Sequence, residues 1–161
     1  MKIAGISIAS GAIHLAFVDN ARDEDLVATQ TSAPVKIEPN ANLQEVPRIV
    51  DLKLRVTSEL RAAETARVVL VETRKLSSWS YKQAYKRVLS IAAVMFAAND
   101  LQIPFTTEKT GEIGKLLHVP AKELETLDHS LFGHETSPVY WTTGMAHAFA
   151  GAAFGLRKFG D

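Results

Sequence analysis

The sequence predicts an α/β fold with a mixed sheet, and three features of the chain indicate it. Two short apolar runs, residues 2–9 and 12–18, flank Ser10-Gly11 and have the pattern of a β-hairpin. A compact apolar run, 67–71, has the composition of a fully buried strand. Helical patterns lie on both sides of that run, which is the arrangement expected of an α/β domain. Because a hairpin opens the chain, the predicted sheet contains antiparallel as well as parallel strands.

The remaining elements follow in chain order. A third strand is predicted within 25–37, where Pro34 argues against a central position in the sheet. Mainly helical spacing of apolar residues predicts a helix over 47–65. After the buried strand, the sequence predicts a long helix at 80–100, a strand at 102–106, a short helix at 109–117, a helix from Pro120 to Gly133 and a last helix at 142–158. The many small residues of the last helix would let it lie close against a sheet.

Length and composition restrict the class of protein. The 161 residues fit a single domain spanning 1–161, with 47% hydrophobic and 22% charged residues. No apolar run reaches the roughly 18–20 residues that span a bilayer, and the N-terminus lacks the pattern of a secretion signal. The absence of cysteine excludes disulfides and thiolate metal sites. We therefore expect a cytoplasmic protein with no membrane partner.

Charge is distributed unevenly along the chain. The formal net charge is zero, but residues 72–87 (ETRKLSSWSYKQAYKR, the basic–aromatic segment) carry five basic residues and one acid. Three aromatic residues are interleaved with these charges. Basic side chains meet phosphates, and aromatic rings stack on unpaired bases, so the segment favours nucleic-acid binding. A solvated helix start whose aromatic side chains pack inward is the structural alternative.

Three stretches, taken in order, resemble the RuvC-type branch of the RNase H-like superfamily, which includes Holliday junction resolvases. IAGISIASGAIHLAFVD resembles the opening hairpin of that family, and VVLVE resembles its fourth strand with a terminal glutamate. GMAHAFAGAAFG resembles the final helix, and IPFTTEKTGEIGKLL resembles the fifth strand with the segment after it. The resemblance implies an RNase H-like mixed five-stranded sheet flanked by helices.

The resemblance also implies a chemistry, from which this chain departs. The family hydrolyses phosphodiester bonds in branched or structured nucleic acid, with carboxylates that hold two Mg²⁺ or Mn²⁺ ions. Here Ser7 stands where the first strand would carry its aspartate, Glu72 matches the glutamate, and Gly144 and His147 stand where the last helix would carry acids. By this analogy Ser7, Glu72 and His147 occupy the catalytic positions, and Glu72 and His147 are the remaining metal ligands. A neutral hydroxyl is a poor metal ligand, so we expect a degenerate metal site.

Each of these residues also has a structural interpretation. Ser7 fills a small space in a strand, Glu72 has just left the sheet or pairs with Arg74, and His147 is a hydrogen-bonded core residue. The other histidines, His14 among them, show no metal-ligand spacing and receive no role.

In the family, the loop and helix after the glutamate approach the nucleic acid. The resemblance therefore assigns nucleic-acid contacts to Arg74, Lys75, Trp79, Tyr81, Lys82, Tyr85, Lys86 and Arg87. Lys115 is a phosphate contact by the same analogy, or else an ordinary exposed lysine.

Three functions remain open at this level. The first is a RuvC-like protein that binds structured DNA or RNA, with nuclease activity absent or much reduced. The second is an active metal-dependent endonuclease with altered ligands, Glu72 and His147 plus either Glu125 or Asp128. The third is a non-catalytic interaction scaffold, expected to form a homodimer through Trp79, Tyr81 and Tyr85.

Overall fold

The computed structural model describes residues 1–19, 29–73, 80–132 and 141–160; for residues 29–32 and 132 it describes the backbone alone. These residues form a sheet with helices on both faces. The strands are β1 (Ile3–Ala9), β2 (Ala12–Asp19), β3 (Thr29–Ile37), β4 (Arg67–Glu72) and β5 (Phe105–Lys109). The α-helices are α1 (Glu45–Ala62), α2 (Tyr81–Asp100), α3 (Thr110–Leu117) and α4 (Thr143–Phe159), and two 3₁₀ segments lie at Ala121–Thr126 and His129–Phe132.

The described strands form one five-stranded sheet in the order β3-β2-β1-β4-β5. β1, β2 and β3 are joined in antiparallel pairs, whereas β1 with β4 and β4 with β5 are parallel. The predicted fold class, a mixed five-stranded sheet flanked by helices, is therefore confirmed. β3 lies at the edge, where Pro34 is tolerated because an edge strand has an unpaired side.

The β1–β2 turn sets the register of the hairpin. Ser10 and Gly11 have φ values of 52° and 77°, as the two central residues of a tight hairpin turn require. With two residues in the turn, Ala9 pairs with Ala12 and, two steps further, Ser7 pairs with His14.

The sheet has a separate apolar core on each face, and strand alternation divides β4 between them. Val69 and Val71 belong to the core under α4, whereas Val68 and Leu70 belong to the core under α1 and α2. α4 lies very close to β1, because a β-carbon built on Gly5 would overlap the backbone of Ala148 and Ala152. The small residues of the last helix thus serve the close approach that the sequence predicted.

Two elements differ most from the sequence-based expectation, while α1 is shifted by two to three residues at its ends. The last strand begins at Phe105 rather than at 102, because the backbone N–H of Ile103 donates to Ala98 and closes the end of α2. The helix expected from Pro120 to Gly133 is two 3₁₀ segments over 121–132. Leu127 is extended, and Asp128 accepts a hydrogen bond from the backbone of Ser130, which starts a new turn.

None of the helices in the described part of the chain combines the length and the apolar character that crossing a bilayer requires.

Candidate functional site

Ser7 and His14 form a buried pair on the α4 face of the sheet, near the carboxyl end of β1. They lie directly opposite each other on β1 and β2, and their exposed fractions are 1% and 4%. Within the described residues, Oγ of Ser7 and Nδ1 of His14 have no hydrogen-bond partner. Burial lowers the pKa of His14, and the nearby ammonium of Lys36 lowers it further, so the imidazole is neutral at pH 7.

Gly144 holds the His14 ring in place. A β-carbon built on Gly144 would lie 2.7 Å from Cε1 and from Nδ1 of His14, closer than real side chains approach. The imidazole therefore rests directly on the backbone of the first turn of α4. The sequence interpretation gave His14 no role, although the two-residue turn at Ser10-Gly11 was enough to pair it with Ser7.

His147 lies one turn further along α4. It is 8% exposed, and burial lowers its pKa, while the charge of Glu125 and the backbone of Thr143 act in the opposite sense. The first 3₁₀ segment, which carries Glu125, packs against α4. Glu125 is therefore the acid whose field reaches this histidine.

Glu72 lies at the carboxyl end of β4 and is exposed. Strand alternation groups it with Val68 and Leu70, on the face covered by α1 and α2, whereas its neighbour Val71 faces α4. Burial lowers the pKa of the Arg87 guanidinium on α2, and the charge of the Glu72 carboxylate acts in the opposite sense. The structure thus brings Ser7, His14 and Gly144 together, and it associates Glu72 with Arg87.

The donors that meet at the α4 face do not suit Mg²⁺ or Mn²⁺. Such hard cations prefer several converging carboxylates, but Ser7 offers a neutral hydroxyl and His14 a neutral ring pressed against the helix backbone. No group of three or more histidine, aspartate or glutamate side chains among the described residues has a geometry that would hold a metal ion.

The last eight residues of the basic–aromatic segment, 80–87, form the cap and the first turns of α2. Ser80 caps the helix in a capping box with Gln83, which fixes where the helix starts. Tyr81 is 83% exposed and stacks on Tyr85, with ring centroids 5.9 Å apart. The hydroxyl of Tyr85 donates to Glu45. Arg74, Lys75 and Trp79 lie outside the described residues.

Lys82 and Lys86 are exposed, one helical turn apart, on α2. Neither makes an ion pair within the described residues. These two lysines and the stacked tyrosines therefore present positive charge and aromatic rings to solvent.

Arg87 and Lys115 are held by contacts within the protein. Arg87 is buried at 8% exposure, and its Nη1 donates to the carbonyl of Ile8 at 2.7 Å, so an exposed phosphate contact from Arg87 does not fit this structure. Lys115 pairs with Glu112 at 2.9 Å. Its neighbour Leu116 accepts a hydrogen bond from Arg157, near the end of α4 opposite Gly144.

Comparison with solved structures identifies several with the same fold. Thermus thermophilus RuvC is 19% identical, with a TM-score of 0.78 over 98% of this chain and 94% of that one. T. thermophilus RuvC in complex with a Holliday junction substrate is 20% identical, with a TM-score of 0.80 over 99% and 95%. The yeast mitochondrial Holliday junction resolvase Ydc2 is 14% identical, with a TM-score of 0.62 over 96% and 77%.

Comparison by sequence finds no protein-family model that matches the chain, and no curated protein matches it. The structural matches nevertheless cover almost the whole chain. This chain therefore has the RuvC-type RNase H-like fold.

Proposed function

We propose that this protein binds structured nucleic acid, DNA or RNA, and hydrolyses phosphodiester bonds slowly or not at all. The observation that carries the proposal is the packing of His14 between Ser7 and Gly144. That packing fills, with neutral groups, the centre where the resemblance expects carboxylates. The fold is kept while the charge that would hold two metal ions is missing from it.

Loss of the central carboxylate matters because two-metal hydrolysis needs ligands that hold both ions. One ion generates the attacking hydroxide and the other stabilises the leaving oxygen. Glu72 and His147 are the two ligands that the analogy leaves, and strand alternation directs Glu72 away from α4. We therefore infer weak binding of Mg²⁺ or Mn²⁺ and little catalysis.

The start of α2 supports the binding half of the proposal. Lys82 and Lys86 are exposed and unpaired within the described residues, and Tyr81 offers an exposed ring beside them. Lysines contribute salt-sensitive contacts to phosphates, and an exposed aromatic ring is a platform for an unpaired base. A solved structure with the same fold, T. thermophilus RuvC, holds a Holliday junction substrate.

The outer surface of α1 and α2 supports a homodimer. Most of the exposed large hydrophobic side chains lie on these two helices: Val46, Val50, Leu54, Tyr81, Tyr85, Val88, Met95 and Phe96. Val46, Val50 and Leu54 recur every four residues and therefore line one face of α1, and an exposed apolar face of this kind supports an interaction site. We propose a second copy of this chain as its partner, on the part of this surface away from Tyr81 and Tyr85. The sequence placed those two rings in a dimer contact only for the interaction scaffold, the alternative that does not bind nucleic acid.

One observation favours a second candidate function, an active metal-dependent endonuclease with altered ligands. The charge of Glu125 reaches His147, so an acid is available beside the histidine that the analogy selects. In this second function, Glu125, Glu72 and His147 hold the metal ion together. Such a ligand set requires the Glu72 side chain to turn toward α4.

The test titrates a labelled four-way junction, a duplex and a single strand, with and without Mn²⁺, and follows binding and cleavage together. We expect salt-sensitive binding without cleavage. Lys82→Glu combined with Lys86→Glu should weaken binding and lower the slope of log K against log salt by roughly two, one for each phosphate contact. Arg61→Glu, an exposed reversal in the last turn of α1, is the control and should leave the slope unchanged.

Each alternative gives a different result. Cleavage that Glu72→Gln abolishes would establish the altered ligand set and overturn the proposed loss of activity. Absence of salt-sensitive binding to all three nucleic acids would overturn both nucleic-acid functions. The interaction scaffold would then be the remaining function. Analytical sedimentation measures the self-association that the scaffold predicts.

A further inference from the structure

A cleft of about 480 Å³ lies between the first turns of α1 and α2, on the face of the sheet opposite His14 and Gly144. The β1–β2 turn closes its base, where Ser90 donates a hydrogen bond to the carbonyl of Gly11. The volume lies within the roughly 300–1,000 Å³ typical of small-molecule sites. The cleft is thus large enough for a ligand and is fixed by the hairpin.

One side of the cleft is suited to an anion. Lys82 and Lys86 both line it, and like charges four residues apart on a helix repel each other unless an anion lies between them. The first turn of α2 contains no acid, so the positive end of the helix dipole is uncompensated there. Arg48, also on the rim, is already held by the carbonyls of Asn40 and Leu43.

The floor of the cleft is suited to a flat apolar group. Ile49, Leu52 and Leu89 lie along it. Tyr85 forms a wall whose ring is fixed by its hydrogen bond to Glu45 and by its stacking on Tyr81. A planar ring placed here would be buried between aliphatic side chains and an aromatic edge.

The rim also carries two carboxylates, Glu38 and Glu45, each with one oxygen already engaged, by Lys36 and by the hydroxyl of Tyr85, and the other oxygen still able to accept. They would accept hydrogen bonds from amino groups of a ligand and would repel a second anionic group. A ligand for the whole cleft therefore has a single anionic end, a flat ring and hydrogen-bond donors on that ring.

We propose that this cleft binds one nucleotide, with its phosphate on Lys82 and Lys86 and its base over Ile49, Leu52 and Leu89. The choice of a nucleotide among ligands of this kind rests on the proposed nucleic-acid function. The nucleotide is either free or an unpaired residue of a strand, and both present the same phosphate and base.

The experiment follows methyl resonances of Ile49, Leu52 and Leu89 by NMR while a ligand is added. The ligands are the four deoxynucleoside monophosphates, inorganic phosphate, deoxyadenosine without phosphate and a short oligodeoxyadenylate, whose bases carry an amino group. We expect the nucleotides or the strand to shift these methyls at lower concentration than phosphate or the nucleoside does.

Two variants test the position of the ligand. Ala41→Trp places a large ring at the exposed mouth of the cleft without touching the core, and Lys86→Glu reverses the charge at the phosphate position. Each should raise the dissociation constant about tenfold or more, which is the loss expected for one charged contact or one filled pocket. Arg61→Glu changes the charge equally at a distance from the cleft and should have no effect.

The outcomes separate this proposal from the proposed function. Shifts with mononucleotides, weakened by Ala41→Trp, support a site for free nucleotides even if no strand binds. Shifts with the strand alone, weakened by the same variant, support a site for an unpaired residue. If no nucleotide or strand shifts these methyls while the four-way junction still binds in a salt-sensitive manner, the cleft proposal is overturned and the proposed function stands.

Discussion

The α4 face around Ser7 and the beginning of α2 lie at the same end of the sheet and differ in almost every physical property. Around Ser7 the side chains are buried and neutral, and the helix backbone touches the His14 ring. At the beginning of α2 the lysines are exposed, a tyrosine is 83% exposed and a cleft separates two helices. In the expected chemistry of this fold, the first region would hold metal ions and the second would contact nucleic acid.

This difference teaches that the two functions of such a fold depend on different kinds of residue and are separable. A metal site needs several acids at fixed positions, whereas around Ser7 the described side chains supply a hydroxyl and an imidazole seated against Gly144. A phosphate-binding surface needs exposed cations on a helix that forms for other reasons. Under the proposed function, the phosphate-binding surface is therefore kept without the metal site.

The largest expected effect tests how rigid the α4 face is. Gly5→Ala would drive a methyl group into the backbone of Ala148 and Ala152, which cannot move without displacing α4. We expect the free energy of unfolding to fall by about 3 kcal/mol or more, at or above the usual range for overpacking. Urea denaturation followed by circular dichroism measures the change.

Gly111→Ala is the matched control for that measurement. A β-carbon at Gly111 meets nothing within 4 Å, and the residue lies in α3. We expect this variant to be unchanged or more stable by roughly 0.5–1 kcal/mol, because alanine favours a helix over glycine. Equal destabilisation by the two substitutions would contradict the close packing of α4 on β1.

An intermediate effect is expected from pH. Burial lowers the pKa of both His14 and His147 from the usual 6.5, so the unfolded chain binds protons that the folded chain does not. The contribution of these two histidines to the free energy of unfolding should therefore be fully present above about pH 6.5, and the free energy of unfolding should fall as the pH decreases below that value. His14→Phe removes one of the two groups and should make this fall shallower, as measured by urea denaturation between pH 5 and 8.

The charged groups nearest His14 do not reverse the predicted loss of stability on acidification. Burial, and after it Lys36, lowers the pKa of the imidazole, and together they outweigh the backbone of Ser7 and Ala12 and the charge of Glu38, which raise it. A stability that rose on acidification would show that His14 and His147 are held as cations, and it would require a buried acid near them.

Most of the fold was predictable because it depends on local signals that the sequence states directly. The turn at Ser10-Gly11 and the apolar run before Glu72 define the hairpin and the buried strand. The start of β5 was not predictable from propensity, because Ile103 is held by the end of α2. The 3₁₀ segments depend likewise on a side-chain hydrogen bond at Asp128.

The candidate site was less predictable, because it depends on which side chains share a face across distant elements. Ser7 and Gly144 were selected by resemblance, but the ring of His14 between them follows from pairing and helix approach together. Arg87 looked like one more exposed cation in a basic segment, yet its position on the inner side of α2 directs it to Ile8. The charge of a residue can be known from the sequence, whereas its burial in the fold decides whether that charge can contact a ligand.

The smallest expected effect is also the sharpest test of the region around Ser7. Ser7 and Ser90 are both 1% exposed, but Oγ of Ser90 donates to Gly11 at 2.8 Å, while Oγ of Ser7 has no partner among the described residues. Ser90→Ala should therefore cost about 1 kcal/mol or more, because it strands a buried carbonyl. Ser7→Ala should leave the free energy of unfolding unchanged or raise it by up to about 1 kcal/mol, because it removes a buried hydroxyl that makes no hydrogen bond within the described residues.

If Ser7→Ala instead costs as much as Ser90→Ala, the Ser7 hydroxyl has a bound partner. A water or ion at that position would then restore the case for a working site on the α4 face.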